Sequence, residues 1–223
     1  ETNFKFWINC LKPNTGLFDI IRIDHFRAFD TYWKIPSSCE TAIEGEWIEA
    51  PGYALIDELY KQIPNLDMVV EDLGDLRDEV LQLRDNYNLK GMKIIQFTFD
   101  PNETNNDFED RENMITYTGT HDNQTIVGWL GSQNKDVQLE VESFLNKKGF
   151  EGTFNEQMVE YACSSIAEIV VIPVQDIIGL GDEARLNTPG TVGTPNWEWK
   201  LSNLEVLNKN KEVIKNIIKK HKK

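Results

Sequence analysis

Five short apolar runs constrain what this chain can fold into. Residues 17–24 (LFDIIRID), 66–71 (LDMVVE), 92–99 (MKIIQFTF), 114–118 (MITYT) and 169–174 (IVVIPV) each read as a strand. Helical patterns lie between them. Asp75 is a candidate N-cap before a helix that sets Leu76, Val80, Leu83 and Tyr87 on one face. A long helical stretch is expected near residues 135–168. Strands that alternate with helices imply parallel βα units, and near-continuous apolar strands imply burial on both faces. The expected fold class is α/β, as a doubly wound sheet or as part of a (β/α)₈ barrel. No GxGxxG or GxxxxGK[ST] follows any of the runs, so a nucleotide-binding sheet would lack its phosphate loop.

The ends of these runs carry the chemistry. Asp24 closes the first (RIDHFR), and Glu71 and Asp72 close the second (VVEDLG). His121 and Asp122 follow the fourth (YTGTHDN), and Gln175 and Asp176 follow the fifth (PVQD). In a (β/α)₈ barrel the C-terminal strand ends form the active-site face. Carboxylates from different strands would then converge, as glycoside chemistry requires: one ionised nucleophile and one protonated donor. Arg22 lies two residues before Asp24, on the same side of a strand. A guanidinium there favours the ionised carboxylate that a nucleophile must be. Met68, Val69 and Val70 precede Glu71, and an apolar setting favours the neutral acid that a proton donor must be. Taken singly, each motif also reads as an ordinary ion pair, helix cap or hydrogen-bonded turn. Trp33, Phe97 and Trp129 are candidate sugar platforms or ordinary core and rim residues.

Composition narrows the partners. The net charge is −14 over 223 residues, yet the last 23 residues hold seven Lys against two Glu. An acidic body argues against nucleic acid, whose phosphates need Lys and Arg. In the basic tail, Leu204, Leu207, Ile214, Ile217 and Ile218 predict a helix with an apolar stripe and a solvated Lys face. No apolar run approaches the roughly 18 residues of a membrane span. Cys10, Cys39 and Cys163 form no CxxC or Cys/His cluster, which fits a reducing cytoplasm and no bound metal.

Several long motifs, in order, resemble the 4-α-glucanotransferases (amylomaltase, or disproportionating enzyme), which are related to the α-amylases. They are IRIDHFRAFDTYWKIPSSCETAIEGEWIEAPG, VVEDLG, GMKIIQFTFD, YTGTHDN and PVQDIIGLGDEARLNTPG, and the resemblance spans about Phe18 to Trp199. It implies a (β/α)₈ barrel of which residues 1–223 form the C-terminal part of one domain, strands four to eight with their helices. It implies transfer of α-1,4-glucan segments between maltooligosaccharides or to glucose, by a retaining double displacement. Asp24 corresponds to the nucleophile, Glu71 to the acid/base, and Asp122 to the carboxylate that grips sugar hydroxyls. Arg22 corresponds to the partner of Asp24 and His121 to a sugar-hydroxyl ligand. Phe97 corresponds to an acceptor-side platform and Asn187 to a binding residue. No cofactor, nucleic acid or membrane is implied. The first three strands and the insertions that shape the groove are absent, so the chain is expected to be a fragment and inactive alone. Two positions depart from the family pattern: Phe108 where Tyr is usual, and Pro195 where Gly is usual. The competing expectations are an α-amylase-type hydrolase, a non-catalytic glucan-binding derivative, and a metal-dependent hydrolase using His25, His121 and the Asp residues.

Overall fold

The computed structural model describes residues 3–99 and 110–221; Phe108 lies outside them. The chain is mixed α/β and divides into two compact units, residues 1–92 and 93–223.

The first unit starts with helix α1 (Lys5–Asn14), strand β1 (Ile21–Ile23) and a 3₁₀ turn over Phe26–Phe29. A hairpin, β2 (Thr31–Lys34) and β3 (Glu46–Glu49), precedes helix α2 (Gly52–Gln62) and strand β4 (Met68–Val70). Helix α3 (Asp78–Asn86) leads to strand β5 (Gly91–Ile94), which begins at the end of this unit. β1 and β4 pair in parallel, as alternating strands and helices predict. α2 buries Leu55, Ile56 and Leu59, and α3 buries Val80 and Leu83, each at helical spacing. These pack with Phe26, Phe29, Met68 and Val70 into one core, with Leu76 and Tyr87 against it. Gly52 is required at the start of α2: a Cβ there would sit 2.3 Å from the Phe29 carbonyl oxygen.

The second unit contains helix α4 (Ile95–Phe99), strand β6 (Met114–Tyr117), and helices α5 (Ile126–Ser132), α6 (Lys135–Lys147) and α7 (Phe154–Ser164). Strand β7 (Ile169–Val171), helix α8 (Val174–Ile178), two 3₁₀ turns (Asp182–Ala184 and Leu204–Lys209) and helix α9 (Lys211–His221) complete it. The strand order is β5-β6-β7, with β6 and β7 parallel. Val137, Val141 and Leu145 of α6 and Met158 and Ala162 of α7 bury a second core around Ile126 and Trp129. α9 is tied to α7 where Lys220 and His221 both reach the buried Glu160 carboxylate, at 2.5 and 3.1 Å.

Several expected elements differ. The first strand is three residues long, because Leu17 and Phe18 are exposed before it. The run 92–99 changes from strand to helix at Ile95, and Ile94, Ile95 and Gln96 are all buried. A short apolar run that is buried all round carries neither period, so the change is not visible in sequence. The stretch 135–168 is two helices, separated where Gly149 and Gly152 take positive φ. Asp75 is not the cap of α3; Arg77 occupies that position without a side-chain capping bond, and the Asp75 carbonyl accepts from Arg27. The tail stripe is split between a 3₁₀ turn and α9, and only Ile217 of it is buried. Trp129 is a core residue, not a surface platform.

Candidate active site

The first cluster is built by the β1–β4 ladder. The register places Ile23 beside Val70, so Asp24 and Glu71 are the next positions on two neighbouring strands. Backbone bonds continue past the strands: Glu71 N–H donates to the Ile23 carbonyl (2.8 Å) and Phe26 N–H to the Glu71 carbonyl (3.0 Å). Adjacent strands lie about 4.8 Å apart, so the two carboxylates leave the sheet from neighbouring points. Arg22 and Asp24 share a side, as alternation requires, and pair at 2.7 Å (Nη2 to Oδ1). The Asp24 side chain is 79% exposed, so its remaining lone pairs face outward.

Glu71 is held differently. It is half-buried, and its carboxylate accepts from two backbone amides: His25 N–H (2.8 Å, Oε2) and Leu73 N–H (3.1 Å, Oε1). This replaces the apolar setting expected from Met68–Val70. His25 makes the bond possible by adopting a left-handed backbone (φ 50°, ψ 54°). That conformation is uncommon outside glycine and persists where surrounding bonds hold it. His25 thus contributes its amide to the site.

Asp72, adjacent in sequence, points the other way. It is buried, accepts from Met92 N–H (2.7 Å) and pairs with Arg84 (2.6 Å). It holds the fold.

The second cluster lies in the loop after β6. Asp122 Oδ1 accepts from Asn187 Nδ2 (2.6 Å), and Oδ2 lies 3.3 Å from His121 Nε2. Arg185 braces the pair: Nη2 donates to the Asp122 carbonyl (2.7 Å) and Nε to the Asn187 carbonyl (2.8 Å). The His121 ring packs on Trp197, with centroids 5.1 Å apart. Arg185 and Trp197 were not singled out from the sequence. The sequence signal for Arg185 is its position two residues before Asn187 in the PVQDIIGLGDEARLNTPG motif. Asp176, which follows β7, is buried and accepts from Thr118 Oγ1 (2.5 Å) and Ile126 N–H (2.9 Å). Burial pushes its carboxyl above the usual range, against the opposing effect of those two bonds. Gln175 donates to the Ala184 carbonyl (3.2 Å) and is likewise structural. Phe97 lies half-buried on α4.

Among the described residues no three His, Cys, Asp or Glu side chains group as metal ligands, and no helix is long and apolar enough to cross a membrane.

A mixed α/β chain with carboxylates exposed at the ends of parallel strands has the layout of enzymes that work at that end of a sheet. Comparison with known proteins gives the family. The family model described as 4-alpha-glucanotransferase matches residues 1–206. The 4-alpha-glucanotransferase of Streptococcus pneumoniae (strain TIGR4) is 38% identical over 205 residues, covering 91% of this chain and 40% of that protein. That of Synechocystis sp. is 42% identical over 203 residues, covering 89% and 40%. A solved amylomaltase from Streptococcus agalactiae, in complex with acarbose, superposes with TM-score 0.89 at 29% identity over 99% of this chain and 45% of that one. This chain belongs to the 4-alpha-glucanotransferase family. It spans about 40% of the length of the curated relatives it matches.

Proposed function

We propose that this chain carries the reacting groups of a 4-α-glucanotransferase, which moves α-1,4-glucan segments between maltooligosaccharides or to glucose. The observation that carries the reading is the β1–β4 register, which sets Asp24, paired with Arg22, beside Glu71 at one pair of strand ends. Asp24 attacks the anomeric carbon while Glu71 protonates the leaving oxygen. Glu71 then takes a proton from the incoming sugar hydroxyl, which displaces Asp24. Retention requires the carboxyl groups about 5–5.5 Å apart, rather than the roughly 6.5–9.5 Å of inversion. Neighbouring strands about 4.8 Å apart support the shorter spacing.

In the same reading Asp122 grips sugar hydroxyls, positioned by Asn187 and Arg185, and His121 is a hydroxyl ligand backed by Trp197. Phe97 is an acceptor-side platform. The chain supplies strands four to eight of one (β/α)₈ domain. Three cysteines free of disulfides fit a cytoplasmic setting. The acarbose complex of the similar Streptococcus agalactiae amylomaltase supports a saccharide ligand.

The test is maltotriose disproportionation, with this chain alone and with the upstream part of the Streptococcus pneumoniae relative supplied. Glucose plus longer glucans, dependent on Asp24 and on the upstream part, is the expected outcome. A net gain of reducing ends would mean hydrolysis, and normal activity in Asp24→Ala would refute the site.

A further inference from the structure

The β2–β3 hairpin carries an aromatic surface that the reaction scheme leaves unused. In its antiparallel register Trp33 lies directly opposite Trp47, so both indoles share one face. They meet edge to face, with centroids 5.2 Å apart. Each is also held from elsewhere. Trp33 Nε1–H donates to the Ala42 carbonyl (2.9 Å), and its ring lies against Gly45, where a Cβ would come within 2.6 Å of the indole. The Arg27 guanidinium sits 4.3 Å over the Trp47 ring and donates through Nη1 to the Asp75 carbonyl (2.8 Å). Both rings are thus ordered, yet Trp33 is 36% and Trp47 53% exposed. Ile35, two residues beyond Trp33, is exposed as well. Ordered, exposed aromatics grouped on one element mark a binding surface.

The surrounding charge selects the ligand. The hairpin and its loop carry Glu40, Glu44, Glu46 and Glu49 against Lys34, which is paired with Glu46 at 3.1 Å. Phosphates and other anions are repelled there. A second copy of this chain, with its net charge of −14, also brings like charge. A neutral ligand with apolar C–H faces and many hydroxyls satisfies both features: the faces stack on indole, and the hydroxyls donate to the carboxylates. Arg27 links this surface to the reacting end, since it lies three residues after Asp24.

We propose that the Trp33–Trp47 face of the β2–β3 hairpin is a remote platform for α-1,4-glucan chains, holding sugar units away from the reacting bond. It rests on the glucan-transfer reading above. Its binding energy acts on long chains, so in the transfer reaction it lowers KM for long glucans and leaves maltotriose little changed.

The experiment titrates this chain, labelled with ¹⁵N, with maltoheptaose and with glucose, and follows the indole N–H signals. Trp33→Phe and Trp47→Phe assign the two signals by their loss. Maltoheptaose is expected to shift both, and glucose neither. In Trp47→Ala the affinity for maltoheptaose is expected to fall about tenfold, with Trp47→Phe retaining most of it. Asp24→Asn separates this claim from the catalytic one: it removes transfer and leaves the two indole shifts intact. The platform is overturned if maltoheptaose shifts neither indole, or if Trp47→Ala binds it as tightly as the parent. It is also overturned if the two signals broaden with protein concentration and without sugar, which would make the hairpin a contact between copies.

Discussion

Asp24 and Glu71 stand against Asp72 and Asp176, four carboxylates that follow parallel strands in contrasting settings. Asp24 has one cationic partner and an open face, and Glu71 is aimed by two backbone amides. Asp72 is buried against Arg84 and the Met92 amide, and Asp176 against Thr118 and the Ile126 amide. Glu71 and Asp72 are neighbours, yet strand alternation sends them to opposite sides. A strand end therefore does not by itself leave a carboxylate open to a ligand; its exposure and its partners decide that. Where the lone pairs are taken up by buried donors, the carboxylate is part of the frame.

Substitutions can break this contrast, beginning with the largest effect. Asp24→Asn is expected to lower transfer by about three orders of magnitude or more, with the melting temperature nearly unchanged, since the group is exposed. Asp72→Ala should do the reverse. It leaves the buried Arg84 with the exposed Asp85 carboxylate and the Met92 amide without its acceptor, and should cost about 3 kcal/mol in urea unfolding. Asp176→Ala leaves the Ile126 amide and the Thr118 hydroxyl without an acceptor, at about 1–3 kcal/mol.

Asp176 also gives a pH signature. Its folded-state carboxyl titrates above its unfolded value, so its contribution is fully present below the unfolded range. That contribution is lost as pH rises through the folded one. Relative to Asp176→Asn, the parent should lose stability on going from acid toward neutral pH. Glu160 has the opposite sign. Burial alone would raise it, but the bonds from Lys220 and His221 prevail and hold it below the usual range. Relative to Glu160→Gln, the parent should gain stability over the same rise, read from thermal melts across pH. The smallest effect is expected at Thr125, whose hydroxyl caps α5 by accepting from Gly128 N–H. Thr125→Ala should cost about 1 kcal/mol.

Much of this was legible in the sequence, and the gaps have physical causes. The parallel βα organisation followed from apolar runs between helical patterns, and the Arg22–Asp24 pair from their two-residue spacing. Sequence singled out Glu71 by its motif but gave Asp72 no role, because only the register and packing decide which of the two faces the core. Gln96 and Phe97 read as strand because a run buried all round shows no period. The His25 amide was invisible, since its role depends on a backbone angle rather than a side chain. The hairpin between residues 31 and 49 carries no sequence signal, because its strands are mostly exposed and lack an apolar core face.

In the proposed mechanism Asp24 forms the covalent intermediate and Glu71 serves as the acid/base. This mechanism is tested most directly by Glu71→Gln, prepared with the upstream part of the relative supplied and treated with α-maltotriosyl fluoride. Fluoride leaves without protonation, while the next step lacks its base, so a glycosyl-enzyme should accumulate. Mass spectrometry of the digested protein is expected to find a maltotriosyl adduct on the peptide bearing Asp24, and none in Glu71→Gln combined with Asp24→Asn. An adduct on another carboxylate, or an unchanged adduct in the double variant, would rule out Asp24 as the nucleophile.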